Sequence, residues 1–248
     1  MDLGISGRRA AVAGASSGLG LACARALAAE GVRVAIGSRS TERLEAAAAS
    51  IDADVVTVVG AVGTPEGATA WAHAAADALG GIDIAIPNAG GPPPGTFAST
   101  DLAAYLPALQ LNLLSTVAMC KVLVPPMQTR GWGRVVSITS VSVRQPIASL
   151  ILSNTARAGV TGFLKTLALE VAVDGVTVNS VLPGSHDTER LRSMHGGDLS
   201  GAASAVPTGH VGDPADFGAV VAFLCSESAR FVTGHALPVD GGAVRGLL

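Results

Sequence analysis

Three glycines, Gly14, Gly18 and Gly20, lie between a short apolar segment and an Ala/Leu-rich segment near the start of the chain. The segment before them, Arg9–Ala13, has the composition of a buried strand, and Leu19–Glu30 has that of a helix. Glycine here permits a tight turn and lets backbone N–H groups approach a pyrophosphate at the helix N-terminus. The pattern therefore predicts a dinucleotide-binding turn, which also includes Ser16, Ser17 and Leu19.

The rest of the chain repeats this alternation of short β-branched segments and longer Ala/Leu-rich segments, which is typical of a parallel sheet flanked by helices. Seven strands are predicted, near Arg9–Ala13, Val32–Ile36, Val55–Val59, Ile82–Ile86, Arg134–Thr139, Val176–Leu182 and Ala236–Val239. Helices are predicted at about Leu19–Glu30, Thr41–Ile51, Pro65–Leu79, Leu102–Gln128, Leu152–Val173 and Pro214–Ser226. We expect residues 1–248 to form a single α/β domain of the Rossmann type, a doubly wound parallel seven-stranded sheet with helices on both faces.

Two segments rich in Gly, Pro and Ser, about 90–100 and 184–210, follow the fourth and sixth predicted strands. Open α/β sheets bind ligands at the carboxyl ends of their strands. We therefore expect these two segments to be loops that contact a small-molecule substrate.

Charge and cysteine content exclude several classes of partner. The 16 basic and 19 acidic residues give a net charge of −3 without a Lys/Arg cluster, so neither nucleic acid nor an anionic membrane is expected as a partner. Cys23, Cys120 and Cys225 lack metal-ligand spacing, which predicts buried thiols and no metal site. The N-terminal segment does not resemble a signal peptide, and no uninterrupted apolar run reaches about 18 residues, so we expect a cytoplasmic protein.

An ordered set of motifs accompanies the glycine turn: Asn88-Ala89-Gly90, Asn112, Ser140, Asn179, Pro183-Gly184 and Val239-Asp240-Gly241-Gly242. Together with the turn, this set resembles that of the short-chain dehydrogenase/reductase family, in order and spacing, across essentially the whole chain. The resemblance implies a Rossmann fold, a nicotinamide cofactor and a homotetramer. The apolar faces of the two longest predicted helices also favour at least a homodimer.

The resemblance further assigns residues around the cofactor. It places Asn88, Ala89 and Gly90 beside the adenosine ribose, and Thr188, together with Pro183 and Gly184, beside the nicotinamide. The second strand is followed by Ser38 and Arg39 rather than by an acidic residue, which favours NADPH/NADP+ over NADH because arginine pairs with a 2′-phosphate. Ala13, Pro87 and Ala61 depart from the family pattern and are expected to lower cofactor affinity.

The catalytic positions depart further from the family pattern. The family uses a serine, a tyrosine thirteen residues later and a lysine four residues after that, with a supporting asparagine. Ser140 and Asn112 match, but Ser153 and Arg157 stand at the tyrosine and lysine positions. A serine hydroxyl is a poor acid near neutral pH, and it could instead cap the following helix. Arg157 could still bind the nicotinamide ribose or an anionic substrate group.

The altered positions favour a reaction that does not depend on the phenol. We predict an NADPH-dependent oxidoreductase that reduces an activated C=C or C=N bond, with Ser140 and Ser153 polarising a conjugated carbonyl and Ser142 and Asn154 as further donors. His186, oriented by Asp187, is a candidate proton donor, although a loop histidine is more often simply solvated. The alternatives are a ketoreductase of the 3-oxoacyl reductase type with a recruited donor, a redox-inactive NADPH-binding sensor or scaffold, and non-redox chemistry on an enolisable substrate.

Overall fold

The computed structural model describes residues 2–247; Met1 and Leu248, the two ends of the predicted domain, lie outside the described residues. Seven parallel strands form one sheet in the order β3-β2-β1-β4-β5-β6-β7. The strands are β1 Arg9–Val12, β2 Arg33–Ser38, β3 Val55–Val59, β4 Ile84–Ile86, β5 Gly133–Ile138, β6 Val176–Pro183 and β7 Ala236–Val239. The predicted Rossmann-type, single-domain α/β fold is confirmed.

Helices connect the strands and cover both faces of the sheet. They are α1 Gly18–Ala29, α2 Thr41–Ala49, α3 Pro65–Leu79, α4 Tyr105–Leu109, α5 Ser115–Thr129, α6 Ile151–Val171, α7 Glu189–Met194, α8 Ser200–Ser204 and α9 Pro214–Leu224. The short α7 and α8 were not predicted, because six and five residues are too few to show a helical repeat. The predicted helix 102–128 is found as one helical segment, Leu102–Thr129, in which a π-helical turn at Gln110–Leu114 lies between α4 and α5.

Each face of the sheet has its own apolar core. Leu27 of α1 and Phe217 of α9 are buried in one, whereas Trp71 of α3, Leu123 of α5 and Leu164 of α6 are buried in the other. The helical segment Leu102–Thr129 is long and apolar enough to cross a bilayer by length and composition alone, yet α5 packs against α3 and α6. It therefore has the surroundings of a core helix in a globular domain.

The predicted buried thiols are confirmed. Cys23, Cys120 and Cys225 are free and buried, and burial raises the pKa of all three, to about 12 for Cys120 and Cys225. These thiols are therefore protonated at neutral pH and behave as small apolar side chains.

Candidate active site

The glycine turn joins β1 to α1 in a conformation that side chains would obstruct. Gly14 and Gly18 have φ angles of 59° and 57°, in the left-handed region. A Cβ on Gly20 would collide with the carbonyl oxygen of Gly14, and a Cβ on Gly14 would lie 2.8 Å from the Asn88 side-chain nitrogen. Because a side chain at Gly14 or Gly20 would collide with this turn, the residues present fit the close backbone approach that a pyrophosphate requires.

Asn88 connects this turn to the end of β4. Its Nδ2 donates to the carbonyl oxygens of Ala13 and Gly14, at 3.2 and 3.1 Å. Asn112 stabilises the loop after β4, because its Nδ2 donates to the Gly90 carbonyl at 2.8 Å. Asn112 belongs to the π-helical turn and is buried, and its Oδ1 has no partner among residues 2–247. Asn112 is therefore a positioning residue behind the cleft.

A cleft of about 600 Å³ opens above the carboxyl ends of the strands. Most of the predicted cofactor and catalytic residues line it: Gly14, Ser17, Gly18, Leu19, Gly20, Asn88, Ala89, Gly90, Ser140, Ser153, Arg157, Pro183, Gly184, His186 and Thr188. The predicted residues Ser16, Ser38, Arg39 and Asn112 are not on its wall. Residues from both predicted substrate loops, among them Gly91 and Met194, line the cleft. Within the described residues, no group of three His, Cys, Asp or Glu side chains could hold a metal ion.

Two serine hydroxyls lie on the cleft wall beyond the end of β5. Ser140 accepts a hydrogen bond from the backbone N–H of Ser142 at 3.1 Å, which leaves its own hydroxyl proton available to a ligand. Ser153 is the third residue of α6, whose N-cap is Leu150, so the alternative that Ser153 caps this helix is wrong. Ser142 and Asn154 do not line the cleft, and the Asn154 amide donates to the Ile147 carbonyl at 2.9 Å. Of the four predicted donors, Ser140 and Ser153 therefore line the cleft and Ser142 and Asn154 do not.

Arg157 lies one turn after Ser153 on α6. Its Nη1 donates to the carbonyls of Ile138 and Thr139 at 3.1 and 2.9 Å, which fixes the end of β5 just before Ser140. Burial, with the nearby positive charge of Arg190, lowers the pKa of Arg157 to about 10, so the side chain remains a cation at neutral pH.

His186 has a different environment from the one expected of a loop residue. It is 5% exposed, packs edge-on against Phe217 with ring centroids 5.2 Å apart, and its Nδ1 lies 3.2 Å from the Gly184 carbonyl. The solvated alternative is therefore wrong. Asp187 pairs with Arg192 at 2.6 Å instead of orienting the imidazole. Burial lowers the pKa of His186, which disfavours the protonated form that a proton donor needs.

Sequence reasoning missed three charged side chains on the cleft wall: Arg43 of α2 and Glu189 and Arg190 of α7. Arg43 contacts the Glu189 carboxylate at 2.9 Å and the Ser17 hydroxyl at 3.3 Å, so it joins α2, α7 and the glycine turn. The sequence signal for Arg43 was its position in the first turn of the helix after β2, close to Arg39. No sequence pattern distinguished Arg190 from a solvated loop residue.

The cleft geometry agrees with comparisons to known proteins. A sequence model described as enoyl-(acyl carrier protein) reductase matches residues 14–244. The chain belongs to the short-chain dehydrogenase/reductase family. It is 33% identical over 245 residues to the 3-oxoacyl-[acyl-carrier-protein] reductase FabG of Vibrio cholerae serotype O1, covering 97% of this chain and 98% of that protein.

Two solved structures extend the comparison. L-sorbose reductase from Gluconobacter frateurii, complexed with NADPH and L-sorbose, is 33% identical with a TM-score of 0.92 and covers 100% of both chains. A short-chain oxidoreductase from Pseudomonas aeruginosa PAO1, described as NADPH-bound with an atypical catalytic center, is 30% identical with a TM-score of 0.89 and covers 96% of this chain and 97% of that one. Family membership makes this chain an NAD(P)-dependent oxidoreductase.

Proposed function

We propose that the protein is an NADPH-dependent reductase of a small molecule with an activated C=C or C=N bond. The observation that carries the proposal is that no phenol lines the cleft. Ser153 and Arg157 stand where the family pattern has tyrosine and lysine, and Tyr105, the single tyrosine in the chain, begins α4 and is not on the cleft wall.

The side chains on the cleft wall favour a reaction that spreads negative charge rather than one that needs a proton at once. A bound nicotinamide cofactor would supply the hydride. Reduction of a simple ketone builds charge on one oxygen, whereas conjugate reduction of an enone forms an enolate that fixed hydrogen bonds can stabilise. Ser140 and Ser153 would donate to that oxygen, and the Arg157 cation stabilises negative charge in the same cleft. A protonated imine makes still less demand on an acid, because no alkoxide forms.

The preference for NADPH rests on two arginines at the start of α2. Arg39 follows β2 and is exposed, and Arg43 lies on the cleft wall with its guanidinium beside Ser17 of the glycine turn. A guanidinium near the end of the second strand can pair with a 2′-phosphate. We include both arginines in the proposed cofactor site. L-sorbose reductase and the Pseudomonas aeruginosa oxidoreductase, to which this chain is similar, were both solved with NADPH.

The reaction class can be tested by following NADPH absorbance with matched panels of ketones, cyclic imines and enones. We expect turnover of enones or imines and little turnover of simple ketones. Ketone reduction at rates equal to those for enones would contradict the proposal that loss of the phenol changed the chemistry. Saturable NADPH binding without turnover of any panel would support the redox-inactive alternative instead.

We also propose that the protein forms a homodimer or homotetramer. Large apolar side chains are exposed on and next to the helices α4 and α6, including Leu106, Leu169 and Val173, the last with 88% exposure. Burial of these side chains against a second copy would remove apolar surface from water. Size-exclusion chromatography with light scattering should give at least a dimer, and a monomer at micromolar concentration would contradict the proposal.

A further inference from the structure

The cleft wall carries a second cation near Arg157, which is Arg190. Arg190 lies in α7, and its guanidinium packs directly on the backbone of Gly91: a Cβ on Gly91 would lie 2.6 Å from Nη1 and 2.8 Å from Cζ. Any larger residue at position 91 would therefore displace this guanidinium. The Arg190 guanidinium therefore occupies space that a side chain at position 91 would fill.

Gly91 begins the proline-rich segment Gly91–Gly95, which follows β4 and the Asn88-Ala89-Gly90 loop. At the other end of that segment, the Gly95 N–H donates to the Ser149 carbonyl at 2.7 Å, and the Ile151 N–H donates to the Gly95 carbonyl at 3.2 Å. The segment thus ends beside the first turn of α6, which carries Ser153. Arg190 packs on the first residue of this segment, and Gly91, Arg190 and Ser153 all line the cleft.

Within residues 2–247, no carboxylate neutralises either guanidinium. Nη1 of Arg157 donates to two backbone carbonyls, and among residues 2–247 no carboxylate forms an ion pair with Arg157 or Arg190. The one acidic side chain on the cleft wall within the described residues is Glu189, which pairs with Arg43. Arg157 is partly buried and Arg190 is exposed. The charge of Arg190 disfavours the Arg157 cation and lowers its pKa, and an anion bound by both guanidinium groups would relieve this repulsion.

The position of the pair favours the substrate over the cofactor as the source of this anion. A pyrophosphate would bind the backbone N–H groups at the N-terminus of α1, where Gly14, Gly18 and Ser17 lie, and Arg43 beside Ser17 is the cation proposed for the 2′-phosphate. Arg157 is instead one turn from Ser153 on α6, and Arg190 lies on Gly91. Both line the same cleft as Ser140 and Ser153, and the charge of Arg190 is close enough to lower the pKa of Arg157.

We propose that the substrate carries a carboxylate, which Arg190 and Arg157 bind while the reducible bond faces Ser140 and Ser153. The planar guanidinium matches a carboxylate with two parallel hydrogen bonds, which gives orientation as well as affinity. This substrate class rests on the proposed function, because it places the carboxylate relative to a reducible bond. An enone or a cyclic imine that bears a carboxylate has the required chemistry.

Binding can be measured separately from turnover by saturating the protein with NADP+, which supplies no hydride. Isothermal titration of a panel of enone and cyclic-imine carboxylates and their methyl esters should show the acids binding about tenfold or more tightly than the esters, as expected for charge-assisted hydrogen bonds. Arg190→Gln should remove most of that ratio while leaving NADP+ affinity unchanged. Arg192→Gln is the matched control, because Arg192 lies on the same short helix, pairs with Asp187 and does not line the cleft.

A second variant tests position rather than charge. Gly91→Ala keeps the net charge but forces the Arg190 guanidinium to move, so it should lower the acid-to-ester ratio in the same direction as Arg190→Gln. Equal affinity of acids and esters for the natural chain, or no carboxylate binding at all, overturns the proposal. If Arg190→Gln lowered the NADP+ affinity and left the acid-to-ester affinity ratio unchanged, the anion that Arg190 binds would be the pyrophosphate. That result would also overturn the proposal. Selective acid binding without NADPH-dependent reduction would instead refute the proposed function and leave the anion site standing.

Discussion

The two ends of the cleft differ in what fixes them. At the cofactor end, backbone conformation and close approach determine residue identity, because Gly14 and Gly20 leave no room for a Cβ beside the Asn88 side chain. At the proposed reaction end, the determining groups are the side chains of Ser153 and Arg157 on α6, whose helical backbone tolerates many residue types, and Arg190 of α7 lies on the same cleft wall. A cofactor site of this kind persists with the fold, whereas the chemistry beside it can change through a few substitutions.

The largest effect is expected where backbone geometry is most restrictive. Gly20→Ala places a methyl group against the Gly14 carbonyl oxygen and 2.9 Å from Asn88 Nδ2, so the turn must open. We expect a loss of about 1–3 kcal/mol in the free energy of unfolding and loss of measurable NADPH binding. Urea unfolding and isothermal titration would measure both.

The matched control is Gly162→Ala, a glycine-to-alanine change in the exposed part of α6. No atom lies within 4 Å of the Cβ that this change adds. Alanine is the better helix former, so stability should stay constant or rise by up to about 1 kcal/mol. If Gly20→Ala changed the free energy of unfolding as little as Gly162→Ala, the backbone at the cofactor end would not be as restrictive as proposed.

The next largest effect concerns the reaction end. The double change Ser153→Tyr with Arg157→Lys restores the family's residue types at positions one helical turn apart on α6. A general acid contributes about 10²–10⁴-fold to such reactions, so ketone reduction should rise by at least about tenfold even with imperfect geometry.

The readout is kcat/KM for a ketone panel against the enone panel, with each single variant as a control. Ser153→Tyr alone should give less than the pair, because the lysine that lowers the phenol pKa in the family is then absent. If the double variant gained no ketone reduction, the pocket would differ from the family pattern in more than these two side chains.

The contrast between the ends also explains what could be predicted from the sequence. Strand positions and the glycine turn followed from local composition, which acts over a few residues, and β3 and β7 have their predicted bounds. The burial of His186 depends on Phe217 of α9, and the cleft position of Arg190 depends on its packing against Gly91. These are tertiary contacts between distant segments, and neither leaves a periodic signal in the sequence.

Cofactor selectivity gives an intermediate effect. Arg43→Gln removes a guanidinium from the cleft wall, whereas Arg39→Gln removes an exposed one from outside the wall. A hydrogen bond to a charged group is worth about 1.5–3 kcal/mol, so Arg43→Gln should weaken NADPH binding about tenfold or more and leave NADH binding almost unchanged. Titration of both cofactors into both variants would rank the arginines. A larger loss of NADPH affinity with Arg39→Gln would assign the 2′-phosphate to Arg39, the residue that the sequence pattern favoured.

The smallest effect tests His186. Burial lowers the pKa of this imidazole below its ordinary value of 6.5, while the Gly184 carbonyl and the carboxylates of Asp213, Asp216 and Asp240 act in the opposite direction. Folding therefore favours the neutral ring, so its contribution to stability is complete above about pH 6.5 and declines as the pH falls below that value. The free energy of unfolding of the natural chain should fall between about pH 7.5 and 5.5 more than that of His186→Gln, whose amide can still donate to Gly184. Equal slopes would show that the ring is not desolvated on folding. A large loss of kcat in His186→Gln with an altered pH profile would instead make His186 the proton donor and bring the reaction end closer to ordinary ketone reduction.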